Sequence, residues 1–149
     1  MRHGPHWPWP SAIKTESWLI PSLLAERASL AVCHLETIGR TSGLVRTIEI
    51  WFAAAPADGE IYLLSGGGES AHWVRNLQRE PRVRLHLGDL TLTGFATVIT
   101  SGEAETTARH ALAAKYQGWR EGQALSQWAA TALPVVIRID ELLTEDDSR

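Results

Sequence analysis

The sequence predicts a mainly β domain with flanking helices, its strands closed on themselves into a small barrel. Three observations lead there. About six short apolar or alternating runs, separated by turn residues, read as strands. The helical segments are few and do not alternate regularly with the strands, which argues against a doubly wound parallel sheet, and short strands joined by hairpins suggest a small barrel instead. At 149 residues the chain is one domain of ordinary size, long enough to bury a full core.

Residues 1–12, Met-Arg-His-Gly-Pro-His-Trp-Pro-Trp-Pro-Ser-Ala, are too rich in proline for a helix or an inner strand and read as an extended arm; residues 13–149 form the domain. Trp7 and Trp9 make that arm apolar. It is expected to dock, as a lid on a ligand pocket that excludes water or as a strap on a second copy, the lid being preferred. Ser17 to Ala28 is a short helix with Pro21 near its start, where proline is tolerated. Ala31 to Glu36 is an apolar strand holding the single cysteine, Cys33, which reads as a buried, inert thiol. One cysteine rules out a disulfide framework and four-cysteine zinc chemistry.

Val45 to Phe52 is the next strand; the loop Ala55 to Gly59 turns into the strand Glu60 to Leu64. A helix from Ala71 to Arg79 stops before Pro81. Arg82 to Leu87 alternates polar and apolar without a break, which places Arg82, Arg84 and His86 on a solvated face. Gly88-Asp89 turns that strand into Leu90 to Ile99, with Gly94 as a bulge position. Thr100-Ser101-Gly102-Glu103 has capping-box spacing and starts a helix to about Gln117. A loop and short helix follow to Thr131, then a last strand from Pro134 to Ile139 and an acidic tail expected to fray.

Net charge is −3 with a pI near 6.1, which argues against nucleic acid as a partner. There is no apolar run of spanning length and no leader pattern, so a cytoplasmic protein is expected. Twelve of the fourteen basic residues are Arg, and seven residues are Trp, a density that suits a pocket for a flat ligand, a Trp-rich core or a dimer face.

Two glycine turns carry the chemistry. In Gly39-Arg40-Thr41-Ser42-Gly43, Arg40 and Arg46 flank hydroxyl side chains and backbone N–H groups. The segment reads either as an anion clamp or as a solvated hairpin turn. Ser65-Gly66-Gly67-Gly68-Glu69-Ser70 opens the helix from Ala71. Three successive glycines suit close approach of a ligand to the backbone, or a flexible loop. No Lys-Ser/Thr follows, so it is not a phosphate loop of the Walker type, and it does not open a βαβ unit. The six histidines (His3, His6, His34, His72, His86, His110) lack metal-ligand spacing, though His72 is placed to touch a ligand. There is no serine nucleophile elbow and no carboxylate pair, Glu49 being the only acid inside an inner strand. An enzyme built this way takes its chemistry from a cofactor.

Taken together, Thr37-Ile-Gly-Arg-Thr-Ser-Gly-Leu-Val-Arg46-Thr, Leu64-Ser-Gly-Gly-Gly, His72-Trp-Val-Arg-Asn-Leu77 and Glu80-Pro-Arg-Val resemble the deazaflavin-dependent nitroreductase and quinone reductase family. That family belongs to the split β-barrel flavin and deazaflavin oxidoreductases. The likeness runs from about Ala31 to Ile99 and returns at Leu133-Pro-Val-Val-Ile.

The resemblance implies a six-stranded split β-barrel of the FMN-binding and pyridoxamine-phosphate-oxidase type. It also implies a homodimer binding coenzyme F420 and passing a hydride between the reduced coenzyme and a small organic acceptor of quinone, nitro or enone type. By the same likeness Arg40, Ser42 and Arg46 would hold the phosphate and glutamyl tail. Ser65, Gly66, Gly67 and Gly68 would line the phosphate and ring, with Trp73 and Asn76 bracing the helix beneath. Tyr116 or His72 would donate a proton to the acceptor. Two other readings stay open: an FMN-dependent reductase of the same fold, and a non-catalytic carrier of a flavin-like ligand or haem.

Overall fold

Seven antiparallel strands form one sheet: β1 (Cys33–Ile38), β2 (Val45–Ile50), β3 (Ala53–Ala55), β4 (Glu60–Ser65), β5 (Arg82–Leu87), β6 (Leu90–Val98) and β7 (Leu133–Leu143), in the order β2-β1-β5-β6-β7-β4-β3. Four helices flank it: α1 (Leu19–Arg27), α2 (His72–Arg79), α3 (Glu103–Gln117) and α4 (Gln127–Thr131). The structure is a computed structural model and describes residues 18–143; the expected arm at residues 1–12 and the acidic tail lie outside the described residues. No helix among the described residues is long and apolar enough to cross a membrane.

The strand count corrects the expectation of six. The single strand expected from Val45 to Phe52 is two, because β2 ends at Ile50 and β3 begins at Ala53, and these strands are the opposite edges of the sheet. Only Trp51 and Phe52 separate them, a span of roughly 11 Å at most. The sheet must therefore curl until its edges nearly meet, yet they do not pair, and the barrel is split along that seam. Phe52 turns fully inward there.

Helix α3 closes the seam with two side chains. The Tyr116 hydroxyl accepts from the Phe52 N–H at 3.0 Å and donates to the Ala31 carbonyl at 2.8 Å, with the Phe52 carbonyl 3.0 Å away as a second acceptor. Lys115 donates from Nζ to the Phe52 carbonyl at 3.0 Å and sits over the Phe52 ring. Backbone groups that a continuous sheet would pair are thus satisfied by side chains.

Alternation on β5 is as expected on its inner face, where Val83, Leu85 and Leu87 are fully buried. Its outer face is not the freely solvated row expected. Arg82 pairs with Asp140 and Glu141 of β7, and Arg84 and His86 pair with Glu36 of β1, so neighbouring strands half-bury the charges in cross-strand pairs. Gly94 is a bulge: the β6–β7 register shifts there, and a Cβ would lie 2.5 Å from the Arg138 carbonyl oxygen.

The capping box does not form. Helix α3 begins at Glu103 behind Gly102, which takes φ 95° and contributes no side-chain cap. Thr100 follows Ile99, whose N–H is tied to the Pro134 carbonyl, so the chain is still leaving the sheet at that point. Glu103 and Glu105 meet the positive end of the helix dipole instead.

The barrel interior holds one core, including Leu35, Phe52, Ile61, Leu85 and Ile137; a second lies between β3, β4 and α3, around Tyr62, Leu64, Ala108 and Leu112. Cys33 is buried in the first, and burial pushes its thiol up to about 12, which keeps it neutral and unreactive.

Candidate functional site

The turn between β1 and β2 is clamped onto α2 by one buried amide. Gly39 and Gly43 close the turn, Gly39 donating to the Leu44 carbonyl and Gly43 to the Gly39 carbonyl, with Gly43 at φ 74°. Asn76 of α2 is only 4 % exposed, and its Oδ1 accepts from both the Arg40 N–H (3.1 Å) and Arg40 Nη1 (2.8 Å). Its Nδ2 donates to Thr37 Oγ1 at 3.2 Å. Asn76 therefore fixes both the backbone and the guanidinium of Arg40.

Arg40 also donates from Nη2 to His72 Nδ1 at 3.1 Å. A guanidinium can only donate, so in this contact Nδ1 is the acceptor and Nε2 is the ring nitrogen left to face the cavity. Ser42 Oγ accepts from the Leu44 N–H at 3.1 Å, which leaves its O–H free to donate. Arg46 stands exposed on β2 with no ion pair or side-chain hydrogen bond among the described residues.

These residues line a cavity of about 670 Å³ that also takes in Thr41 and Trp73 and has no carboxylate on its wall. Two permanent cations and several neutral donors, with no acid, give this anion cavity a lining chemically suited to a negatively charged group.

A second cavity of about 540 Å³ lies beside it, lined among others by Trp51, Ser65, Gly66, Gly67, Trp73, Gln117 and Trp128. Trp51 stacks flat on Tyr116, with centroids 4.2 Å apart and planes 4° from parallel, and meets Trp128 edge-on at 5.4 Å. It is still 43 % exposed, so part of the indole surface faces out from that support.

Of the three successive glycines only Gly68 needs to be glycine for backbone reasons, with φ 62°. A Cβ on Gly66 would sit 3.7 Å from the Trp128 ring, and one on Gly67 would sit 3.5 Å from Ala71 Cβ, both ordinary contacts. The fold therefore does not demand glycine at 66 or 67. The space those two leave is the cavity's own, which is what a ligand lying against the backbone requires. Trp73 borders both cavities and joins them.

The sequence-based site residues fall into four groups. Arg40, Ser42, Arg46 and His72 converge on the anion cavity; Ser65, Gly66 and Gly67 line the aromatic one; Trp73 belongs to both. Gly68 and Tyr116 line neither. Gly68 shapes the turn, its carbonyl accepting from Ser65 Oγ at 3.0 Å.

Tyr116, expected to donate a proton to the acceptor, sits at the seam and not in either cavity. Its hydroxyl is held by the backbone of the seam, its ring backs Trp51, and burial raises its pKa above the usual phenol value. His72 borders the anion cavity and not the aromatic one. Sequence reasoning did not single out Trp51 or Gln117. The abundance of Trp was the available signal for Trp51; nothing local marked Gln117.

The family model described as F420H(2)-dependent quinone reductase matches residues 25–140. Among solved structures, a conserved hypothetical protein of Mycobacterium tuberculosis superposes with TM-score 0.69 at 22 % identity, covering 91 % of this chain and 87 % of that one. The haem storage protein HutZ of Vibrio cholerae gives TM-score 0.60 at 16 % identity, covering 83 % and 91 %. An F420-H2 dependent reductase gives TM-score 0.54 at 19 % identity, covering 72 % and 94 %. At these identities the structural likeness shows the split-barrel fold alone. No protein of curated function is significantly similar in sequence.

Proposed function

The chain belongs to the F420H(2)-dependent quinone reductase family, oxidoreductases whose cofactor is coenzyme F420, and we propose that it reduces a small organic acceptor of quinone, nitro or enone type. The observation that carries this reading is the meeting, at Trp73, of a cavity lined by two arginines with one walled by tryptophan and glycine. A ligand with a flat ring and a polyanionic tail needs both halves, side by side.

In this reading Arg40 and Arg46 pair with phosphate and carboxylate oxygens, and Ser42 and His72 Nε2–H add donors. Arg40, holding His72 Nδ1, turns the other ring nitrogen toward the ligand. Gly66 and Gly67 let the ring lie against the backbone, and Trp51, backed by Tyr116, covers the acceptor side and excludes water. When bound, the reduced coenzyme supplies the hydride; the protein supplies position and dryness. The proton that completes reduction comes from solvent.

FMN has a single phosphate for the same two arginines, which favours the longer anionic tail. Haem is disfavoured because no imidazole, thiolate or thioether lines the aromatic cavity among the described residues. Titration with coenzyme F420 and with FMN, followed by oxidation of the reduced coenzyme with menadione, tests the reading. Tight binding of the deazaflavin and turnover are expected. Retention of FMN alone, or binding of either without turnover, would select a rival.

A further inference from the structure

We propose that Gln117 recognises the acceptor, its carboxamide N–H donating to the carbonyl or nitro oxygen that becomes negative as the hydride arrives; this rests on the reductase reading of the same site.

Gln117 is the last residue of α3, and the turn after it sets its place. Gly118 takes φ 68°, and the Trp119 N–H returns to the Ala113 carbonyl at 3.2 Å, the left-handed closure that ends a helix sharply. The side chain is held as well. Ser126, at the start of α4, accepts from the Ala129 N–H at 3.1 Å and donates to Gln117 Oε1 at 2.8 Å. With its oxygen engaged, the amide keeps both N–H bonds free: Nε2 has no partner among the described residues.

The position matches the role. Gln117 lines the aromatic cavity and also a neighbouring cavity of about 410 Å³ walled by Trp119, Gln123, Leu125 and Ser126. It is the residue the two share, so an acceptor lying between them passes it. Other polar side chains of the aromatic cavity are spoken for or of the wrong kind. Ser65 donates to Gly68, and the Glu49 carboxylate can only accept and lies 3.5 Å from His34. The indole N–H groups of Trp51, Trp73 and Trp128 are the competing donors.

For a quinone the balance is simple. The carbonyl compound gains two electrons and one hydrogen as the hydride, its oxygen takes the negative charge, and one solvent proton yields the hydroquinone. Gln117 neither gains nor loses a proton. It stabilises the oxygen while the charge is present, as oxyanion donors do.

The test compares two acceptors, menadione and a phenazinium dye without carbonyl or nitro oxygen, in wild type, Gln117→Leu, Gln117→Asn and Ser126→Ala. Menadione binding is read separately by quenching of tryptophan fluorescence in coenzyme-free protein. In Gln117→Leu, kcat/KM for menadione should fall about tenfold to a hundredfold, at least tenfold further than for the dye. Quenching should weaken, and the dissociation constant for coenzyme F420 should stay within about twofold of wild type.

Gln117→Asn, with its amide drawn back by one methylene, should lose almost as much. Ser126→Ala, which frees the amide, should lose less, and a further variant, Ser126→Thr, which keeps the hydroxyl, should stay near wild type. Equal losses for both acceptors, or no loss for menadione, would overturn the assignment and leave the indoles as the donors. Weakened menadione quenching in Gln117→Leu, when wild type turns over neither acceptor, would keep the assignment and sink the reductase reading.

Discussion

The two cavities that meet at Trp73 are assembled in opposite ways. The anion cavity comes from two short stretches, Thr37 to Ile48 and His72 to Asn76, pinned together by one buried amide. The aromatic cavity draws on Val32, the end of β2, the glycine turn, the end of α3 and α4, and so exists only once the split barrel has closed. One is local and electrostatic; the other is distributed and made of shape and stacking. Changes in the first should therefore respond to salt and leave the fold alone, and changes in the second should ignore salt.

Gly67→Val should show the largest effect on coenzyme binding. The backbone at Gly67 (φ −83°) accepts a side chain and Ala71 leaves room for Cβ, so the melting temperature should change little. The branched side chain fills the ring's place, and binding should drop by at least about a hundredfold, roughly 3 kcal/mol. A variant that melts far lower would make this glycine structural and dissolve the contrast with Gly68.

Arg46→Ala comes next. Losing a charge-assisted hydrogen bond costs about 1.5–3 kcal/mol, or roughly tenfold to a hundredfold in dissociation constant. The loss should shrink as salt rises, since exposed charges are already screened. Titration at two ionic strengths reads both, and affinities equal to wild type would remove Arg46 from the site.

Trp51→Leu should cost about 0.5–1.5 kcal/mol, the usual value of an aromatic contact beyond its area. That loss should be the same at both ionic strengths; a salt-dependent loss would blur the division between the cavities.

Tyr116→Phe should affect binding least. It removes the hydroxyl that pairs with the Phe52 N–H and the Ala31 carbonyl, so stability should fall by about 1–3 kcal/mol in denaturant unfolding. Its kcat should stay near that of wild type. A collapse of kcat at normal stability would return Tyr116 to proton donation.

Legibility in the sequence follows the same division. Arg40 and Ser42 lie in one glycine turn with Arg46 just beyond it, and the triple glycine is contiguous, so each reads as a unit. The β5–β6 hairpin and the bulge at Gly94 were equally readable, because alternation and glycine placement are local. The break between β2 and β3 was not. Ile50-Trp51-Phe52-Ala53 is an unbroken apolar run, and only the closing of the sheet decides that Phe52 turns inward while Trp51 stays half-exposed. Spacing also misled at Thr100, where a capping-box pattern met a chain still tied to β7. Gln117 gains its meaning from Ser126 and from a cavity whose other walls lie far away in sequence.

The most direct test of a tail site joined to a ring site is to offer the two halves separately. Coenzyme F420 and its deazaflavin ring lacking the phosphate and glutamyl groups are each titrated into wild type, Arg46→Ala and Gly67→Val. Arg46→Ala should weaken the whole coenzyme by roughly tenfold or more and leave the bare ring within about twofold, while Gly67→Val should weaken both. Equal loss of the bare ring in Arg46→Ala, or undiminished ring binding in Gly67→Val, would contradict the division of the site at Trp73.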